Sequence, residues 1–309
     1  MPSFLITGAA GFIGSHLCEY YLKKNFEVFG IDNLLTGNIK NISHLFNNER
    51  FHFICEDLCN FSNFDKKIDY ILHFASPASP VDFVKYPLET LKVNSHGTEK
   101  ILKLGLENNA TVLVASTSEI YGDPQIHPQI ESYYGNVNTV GPRSVYDEGK
   151  RYLETITYAY KNLYNLNVRI IRIFNTYGPK MRVDDGRVIP NFINQALTNN
   201  PFSIYGNGQQ TRSFCYIDDL IEGIDKLLNS NYMLPINIGN TDEIKILDLI
   251  NIISEIIPNN NKLIFSKISA DDPKLRRPSI ELAKKQIGWS PKTKLKEGLI
   301  KTINYFKNN

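Results

Sequence analysis

Through the first 175 residues the chain alternates short apolar runs with amphipathic stretches. Residues 3–7 are apolar and run straight into glycines, and residues 12–24 then place Ile13, Leu17 and Leu22 at helical spacing. Further apolar runs of strand length lie at residues 27–31, 51–55, 70–74, 111–115 and 168–174. Between them, residues 88–107 and 142–163 predict long helices, with Pro142 tolerated in a first turn. Short apolar strands joined by helical crossovers predict a parallel sheet covered on both faces, the doubly wound α/β architecture. Beyond residue 178 the alternation gives way to turn-rich stretches such as Asp184-Asp-Gly, Tyr205-Gly-Asn-Gly and Asn240-Thr-Asp, with helices expected over 246–257 and 295–306. The expected division is a sheet domain over residues 1–177 and a smaller C-terminal α/β substrate lobe over residues 178–309.

Composition narrows the class. The chain has 309 residues, 42% of them hydrophobic, and its 34 basic and 32 acidic residues leave a net charge of +2. This balance offers no argument for a nucleic-acid or membrane partner. The four cysteines, Cys18, Cys55, Cys59 and Cys215, form no CxxC pair, so no metal site is expected and reduced thiols are. No run approaches the roughly 18 apolar residues of a spanning helix, and no leader pattern opens the chain. A cytoplasmic location is therefore expected.

Gly8, Gly11 and Gly14 form a G-x-x-G-x-x-G loop directly after the first strand and into the first helix. Glycines there permit a tight turn and a close approach of backbone N–H groups to a pyrophosphate at a helix N-terminus. Asp32 ends the second strand, and a carboxylate at that place accepts from the adenosine ribose hydroxyls and repels a 2′-phosphate. These features predict a Rossmann domain that binds NAD in preference to NADP. Asp57 and Leu58 follow the third strand, where the adenine would lie.

Tyr146 and Lys150 stand four apart on a predicted helix and share a face. An ammonium there would favour the phenolate and lower the tyrosine pKa, making Tyr146 a general base for a sugar hydroxyl. Ser116-Thr-Ser-Glu119 leaves the fifth strand at its C-terminal end, and Thr117 can complete a hydroxyl–Tyr–Lys triad.

The glycine loop with Tyr146-x-x-x-Lys150 resembles the extended short-chain dehydrogenase/reductase superfamily of nucleotide-sugar enzymes. Ala75-Ser-Pro-Ala-Ser-Pro80, Ser116-Thr-Ser-Glu-Ile-Tyr-Gly-Asp-Pro124, Tyr146-Asp-Glu-Gly-Lys-Arg151, Arg172-Ile-Phe-Asn-Thr-Tyr-Gly-Pro179, Asp185-Gly-Arg-Val188 and Gln210-Thr-Arg212 together resemble its UDP-glucuronate decarboxylase (UDP-xylose synthase) family across the whole chain. The resemblance implies a lyase: the sugar of UDP-glucuronic acid is oxidised at C4, loses its C6 carboxylate as CO2 and is reduced again to UDP-xylose, with no net use of NAD. It implies Thr117, Glu119, Tyr146 and Lys150 as catalytic residues, with Glu119 near the C5–C6 bond. Ser118 stands where dehydrating relatives carry an acidic residue. The cofactor set implied is Gly8, Gly11, Phe12, Ile13, Gly14, Asp32, Asn33, Asp57, Leu58, Ala75 and Asn94 with Tyr146 and Lys150. The substrate set is Pro77, Ser118, Glu119, Tyr146, Asn175, Arg187, Val188, Tyr205, Gln210, Arg212 and Arg276. Arg276, in Lys274-Leu-Arg-Arg-Pro278, would engage the substrate carboxylate, Arg212 a phosphate and Tyr205 the uracil. Lys180 replaces the usual arginine after Gly-Pro. A homodimer is implied as well. The alternatives are a nucleotide-sugar 4-epimerase on the same fold and an inactive NAD sensor, the latter disfavoured by the intact triad.

Overall fold

The computed structural model describes residues 1–61, 64–259, 261–267 and 275–308; Lys274 of the arginine motif lies outside them. The elements run in the order β1 (Ser3–Thr7), α1 (Phe12–Lys23), β2 (Glu27–Asp32), β3 (Phe51–Cys55), β4 (Tyr70–His73), α2 (Pro80–Lys85), α3 (Pro87–Lys92), α4 (Thr98–Asn108), β5 (Thr111–Thr117), α5 (Ser144–Tyr164) and β6 (Val168–Ile173). They continue with β7 (Thr176–Tyr177), α6 (Val188–Leu197), β8 (Phe202–Tyr205), β9 (Thr211–Ser213), β10 (Cys215–Tyr216), α7 (Ile217–Leu228), β11 (Pro235–Ile238), β12 (Glu243–Lys245), α8 (Ile246–Ile256), β13 (Leu263–Ser266), α9 (Glu281–Ile287) and α10 (Leu295–Asn308).

Seven strands form one parallel sheet in the order β11-β6-β5-β4-β1-β2-β3. The strand period of two sends alternate side chains into two cores, one on each face. Phe4, Ile6 and Leu113 join Leu17 and Tyr21 on one face, whereas Leu5, Val112 and Val114 join Leu102 and Leu153 on the other. The winding reverses between β1 and β4. The carboxyl ends of those strands therefore open onto a crevice, where open α/β sheets bind their ligands.

The helix over residues 88–107 and the sheet edge depart from the sequence expectation. The helix expected over residues 88–107 is α3 and α4 joined by a π turn, Val93–Gly97. Side chains compete for the helix carbonyls there: Asn94 Nδ2 donates to Thr90 O at 2.8 Å and Thr98 Oγ1 to Asn94 O at 2.9 Å. The seventh strand, β11, is short, begins at Pro235 and carries Asn237 between Ile236 and Ile238, so it lacks an apolar run. Asn237 is fully buried; its Oδ1 accepts from the Tyr121 hydroxyl at 2.8 Å and its Nδ2 donates to Gln129 O at 3.1 Å. Smaller strand pairs, β8 with β13, β9 with β12 and β7 with β10, sit among the later helices beyond the crevice.

Candidate active site

The glycine loop closes against the backbone. Gly8 has φ +71°, and a Cβ on Gly14 would lie 2.0 Å from the Gly8 carbonyl oxygen. Only glycine fits either place. Gly11 precedes α1 with no side chain capping its first N–H groups, those of Phe12, Ile13 and Gly14, which leaves them for an anion. Asp32 is buried; its Oδ2 accepts from Ala10 N at 2.9 Å and its Oδ1 from Leu34 N at 2.8 Å. Burial raises its pKa, and the N–H groups of Leu34, Ala10 and Gly11 pull it back. Both oxygens retain lone pairs for ribose hydroxyls.

Asn33 Nδ2 donates to Asp57 Oδ2 at 2.9 Å, bringing two of the expected residues together at the ends of β2 and β3. The Leu58 side chain is packed into the core instead, leaving only its backbone for a ligand. Ala75 N donates to Thr7 Oγ1 at 3.1 Å. Asn94 is fully buried, and its Oδ1 has no hydrogen-bond partner among the described residues. The glycine cradle, the acid at the end of β2 and this orphaned amide oxygen fit a bound NAD. Lys180, in the left-handed region at φ +69°, reaches back to Glu19 Oε1 at 2.5 Å and Asn41 O at 3.1 Å, so it ties the chain after β7 to α1 and the loop after β2.

Beside this cradle opens a cavity of about 950 Å³. Its wall includes the expected residues Phe12, Ile13, Thr117, Ser118, Glu119, Tyr146, Lys150, Asn175, Arg187, Val188, Tyr205, Gln210, Arg212 and Arg276. Pro77 is buried just behind it, between Ser76 and Ala78, which do line it. Glu119 is the only acid among the described residues of this wall, against Arg143, Lys150, Arg187, Arg212 and Arg276.

Tyr146 is buried, hydrogen-bonded through its side chain to Thr117, and stacked on Phe83 with ring centroids 5.2 Å apart. Lys150 Nζ lies 5.8 Å from the Tyr146 ring centroid and donates to Ala115 O at 2.9 Å. The expected lowering of the tyrosine pKa by its lysine is not what the site shows. Burial pushes Tyr146 up to about 12, Arg187 is the cation that most draws it down, and burial pushes Lys150 itself down to about 7. Both groups share one dry pocket, and desolvation penalises the charge on each.

The Glu119 end is of the opposite character. Glu119 sits in the 3₁₀ turn Ser118–Tyr121 that leaves β5. Arg276 forks both of its oxygens, with NH2 on Oε2 at 2.7 Å and NH1 on Oε1. Arg143 NH2 reaches Oε2 at 2.7 Å. Burial opposes ionisation, but the two arginines outweigh it and hold the carboxyl at about 2. The resemblance gave Arg276 to the substrate carboxylate; in the structure its fork is filled by Glu119.

Four neighbours have no place in the sequence expectation. Arg143 lies one helical turn before Tyr146, a spacing that could have flagged it. Phe83 comes from α2, which the sequence pattern did not predict. Asp147 is buried, its Oδ1 has no hydrogen-bond partner among the described residues, and its pKa is pushed up to about 7, first by burial and then by Glu119. His73, buried between Thr7 Oγ1 at 2.8 Å and Thr98 Oγ1 at 3.1 Å, is held neutral, with burial and then Lys150 pushing its pKa down to about 3. Among the described residues no cluster of acidic, histidine or cysteine side chains could hold a metal, and no helix is long and apolar enough to cross a membrane.

Residues 4–239 match the NAD dependent epimerase/dehydratase family. The chain is 45% identical over 303 residues to UDP-glucuronic acid decarboxylase 1 of Xenopus tropicalis, covering 98% of this chain and 72% of that one. It is likewise 45% identical to UDP-glucuronic acid decarboxylase 1 of Arabidopsis thaliana over 304 residues, 98% of this chain and 69% of that one. Among solved structures it superimposes on UDP-glucuronic acid 4-epimerase from Bacillus cereus, in complex with UDP-glucuronic acid and NAD, with a TM-score of 0.88 and 31% identity over 99% of both chains. With the glycine cradle, Asp32 and the Thr117–Tyr146–Lys150 group in one crevice, the chain belongs to the NAD dependent epimerase/dehydratase family, within the extended short-chain dehydrogenases and alongside its UDP-glucuronic acid decarboxylases.

Proposed function

We propose that this chain converts UDP-glucuronic acid to UDP-xylose and CO2, with NAD bound throughout. The observation that carries the proposal is the cavity wall, where one carboxylate faces five cationic side chains around a tyrosine, threonine and lysine group. Such a wall suits a ligand carrying a diphosphate and a carboxylate. When bound, NAD supplies the hydride acceptor for the first step and the donor for the last.

Tyr146 takes the proton of the C4 hydroxyl and returns it at the end, with Thr117 orienting the phenol. Tyr146 is neutral at about 12, so it acts as a base only when positive charge gathers beside it. Arg187 already draws it that way, and Lys150, poised near 7, adds to this whenever it carries a proton. The 4-ketone makes C6 part of a β-keto acid, so loss of CO2 leaves an enolate. Glu119, ionised and fixed by Arg276, positions the water that reprotonates C5. Residues 1–177 serve the cofactor, while Arg187, Val188, Tyr205, Gln210 and Arg212 from 178–309 hold the UDP portion.

The four free cysteines support a cytoplasmic location. Exposed Leu88, Leu91, Tyr152 and Tyr158 on the two long helical segments support a homodimer. Incubation with UDP-glucuronic acid and NAD⁺, followed by mass spectrometry, tests the activity. A UDP-pentose with release of CO2 is expected. An unchanged mass with UDP-galacturonic acid formed would make it a 4-epimerase and overturn the proposal.

A further inference from the structure

Three consecutive residues at the end of β5 each meet one face of α5. Tyr146, Lys150 and Glu154 stand four apart on that helix and share the face. Lys150 donates to Ala115 O at 2.9 Å, Glu154 Oε1 accepts from the Ser116 hydroxyl, and Tyr146 is hydrogen-bonded to Thr117. Glu154 is also forked by Arg172 of β6, with Nε on Oε1 at 2.9 Å and Nη2 on Oε2 at 2.8 Å. The remaining nitrogen, Nη1, donates to the Tyr121 hydroxyl at 2.9 Å and to Glu131 O at 2.9 Å. Tyr121 donates in turn to Asn237 of β11. The Arg172 and Glu154 side chains are only 9% and 13% exposed, and neither they nor Tyr121 line the cavity.

This ion pair grips the turn that leaves β5 at both ends. Ser116 stands just before Thr117, and Tyr121 two residues after Glu119. Apolar side chains of similar volume would hold α5 on the sheet as well or better, because burying two charges costs about as much as their attraction returns. They could not supply directed hydrogen bonds to two hydroxyls that flank the turn. We propose that the Arg172–Glu154 pair is a positioning device for the reaction, fixing Thr117 against Tyr146 and Glu119 in its place from behind the cavity. This rests on the roles given to Thr117, Glu119 and Tyr146 above.

The test separates positioning from stability. The double variant Arg172→Met/Glu154→Leu strands no charge, so it should melt near the natural chain. It should nonetheless lose kcat by about 10-fold or more, with KM for UDP-glucuronic acid and NAD affinity little moved. Ser116→Ala leaves the ion pair whole and guards against a double variant that does not fold. It should lower kcat several-fold in the natural chain and have no further effect in the double variant. A double variant that keeps kcat along with its melting temperature makes the pair plain scaffold and overturns the proposal. So does Ser116→Ala with unchanged kcat, or with the same effect in both backgrounds. Rates are read as UDP-pentose by mass spectrometry and as reduction of the bound NAD in a single turnover. A natural chain that reduces NAD without forming UDP-pentose would defeat the proposed reaction, and the same comparison then holds for the rate of NAD reduction.

Discussion

The two ends of the cavity lie a few residues apart on β5 and α5, and both are buried, yet they treat charge in opposite ways. At the Tyr146 end burial wins: the phenol is pushed up to about 12 and the Lys150 ammonium down to about 7, so at pH 7 the phenol is neutral and the lysine is poised between its two states. At the Glu119 end pairing wins: two guanidiniums hold the carboxylate at about 2 against the same desolvation. The difference is one of partners. Lys150 donates to a neutral carbonyl, whereas Glu119 meets two opposite charges at hydrogen-bond distance. Proton transfer needs groups that change state cheaply, and holding or expelling a carboxylate needs charges that do not change at all.

If the Tyr146 end is where protons move, its loss should be the most damaging change. Tyr146→Phe keeps the ring on Phe83 and removes only the hydroxyl, so NAD should still bind while turnover falls by about 10³-fold or more. Retained turnover, measured as UDP-pentose formed by mass spectrometry, would remove proton transfer from this end. Glu119→Ala should come next, with NAD affinity kept and turnover down by about 10²-fold. It also removes the carboxylate that Arg276 forks, so its melting temperature should drop as well. Normal activity in this variant would show that the charged end is scaffold.

Much of the uncharged end was legible in the sequence, and much of the charged end was not. The glycine loop, Asp32, Tyr146 and Lys150 follow from periods and spacings within single elements, which sequence carries directly. Arg143, Arg276 and Glu119 come from three distant stretches, and their meeting is a tertiary fact. The family resemblance places Arg276 near the substrate, but its fork is filled by Glu119, a contact made only in the folded chain. The lowering of the Tyr146 pKa that the Lys150 spacing suggests is outweighed by burial for a related reason: i,i+4 spacing reports adjacency and says nothing of how dry the pocket is. In the fold, β11 escaped notice because Pro235 and Asn237 interrupt its apolar pattern. The π turn escaped because Asn94 and Thr98 satisfy carbonyls that a periodicity argument assigns to the helix.

The stability of the uncharged end should carry its own pH signature. Lys150 titrates near 7 in the folded chain against an ordinary 10.5. Between these values the unfolded chain holds a proton that the folded chain does not, so stability rises with pH across that window. The penalty for burying Lys150 is fully present below about pH 7 and gone above the ordinary lysine value. Lys150→Met, which fills the same space without the charge, should therefore melt higher than the natural chain at pH 6, with the gap closing towards pH 10, while activity is lost. A gap independent of pH would mean that the ammonium is solvated after all.

Asp147 gives the subtlest test, because it lies beside the charged end yet behaves like the uncharged one. Its Oδ1 has no hydrogen-bond partner among the described residues, and burial together with the Glu119 charge outweighs the pull of Arg143 and Arg276 and pushes it up to about 7 from an ordinary 3.8. The folded chain thus holds a proton that the unfolded chain has released between these two values. Stability should fall as pH rises through that window and stay reduced above it, the reverse of the Lys150 effect. Asp147→Asn keeps the shape and cannot ionise. Melting curves should therefore show no advantage for the variant at pH 4 and a gain above pH 7. A variant that loses stability at pH 8 would mean that Asp147 is charged and paired like Glu119. The boundary between the two kinds of end would then fall between Tyr146 and its immediate neighbour, and pairing rather than depth of burial would decide which buried acids of this cavity keep their charge.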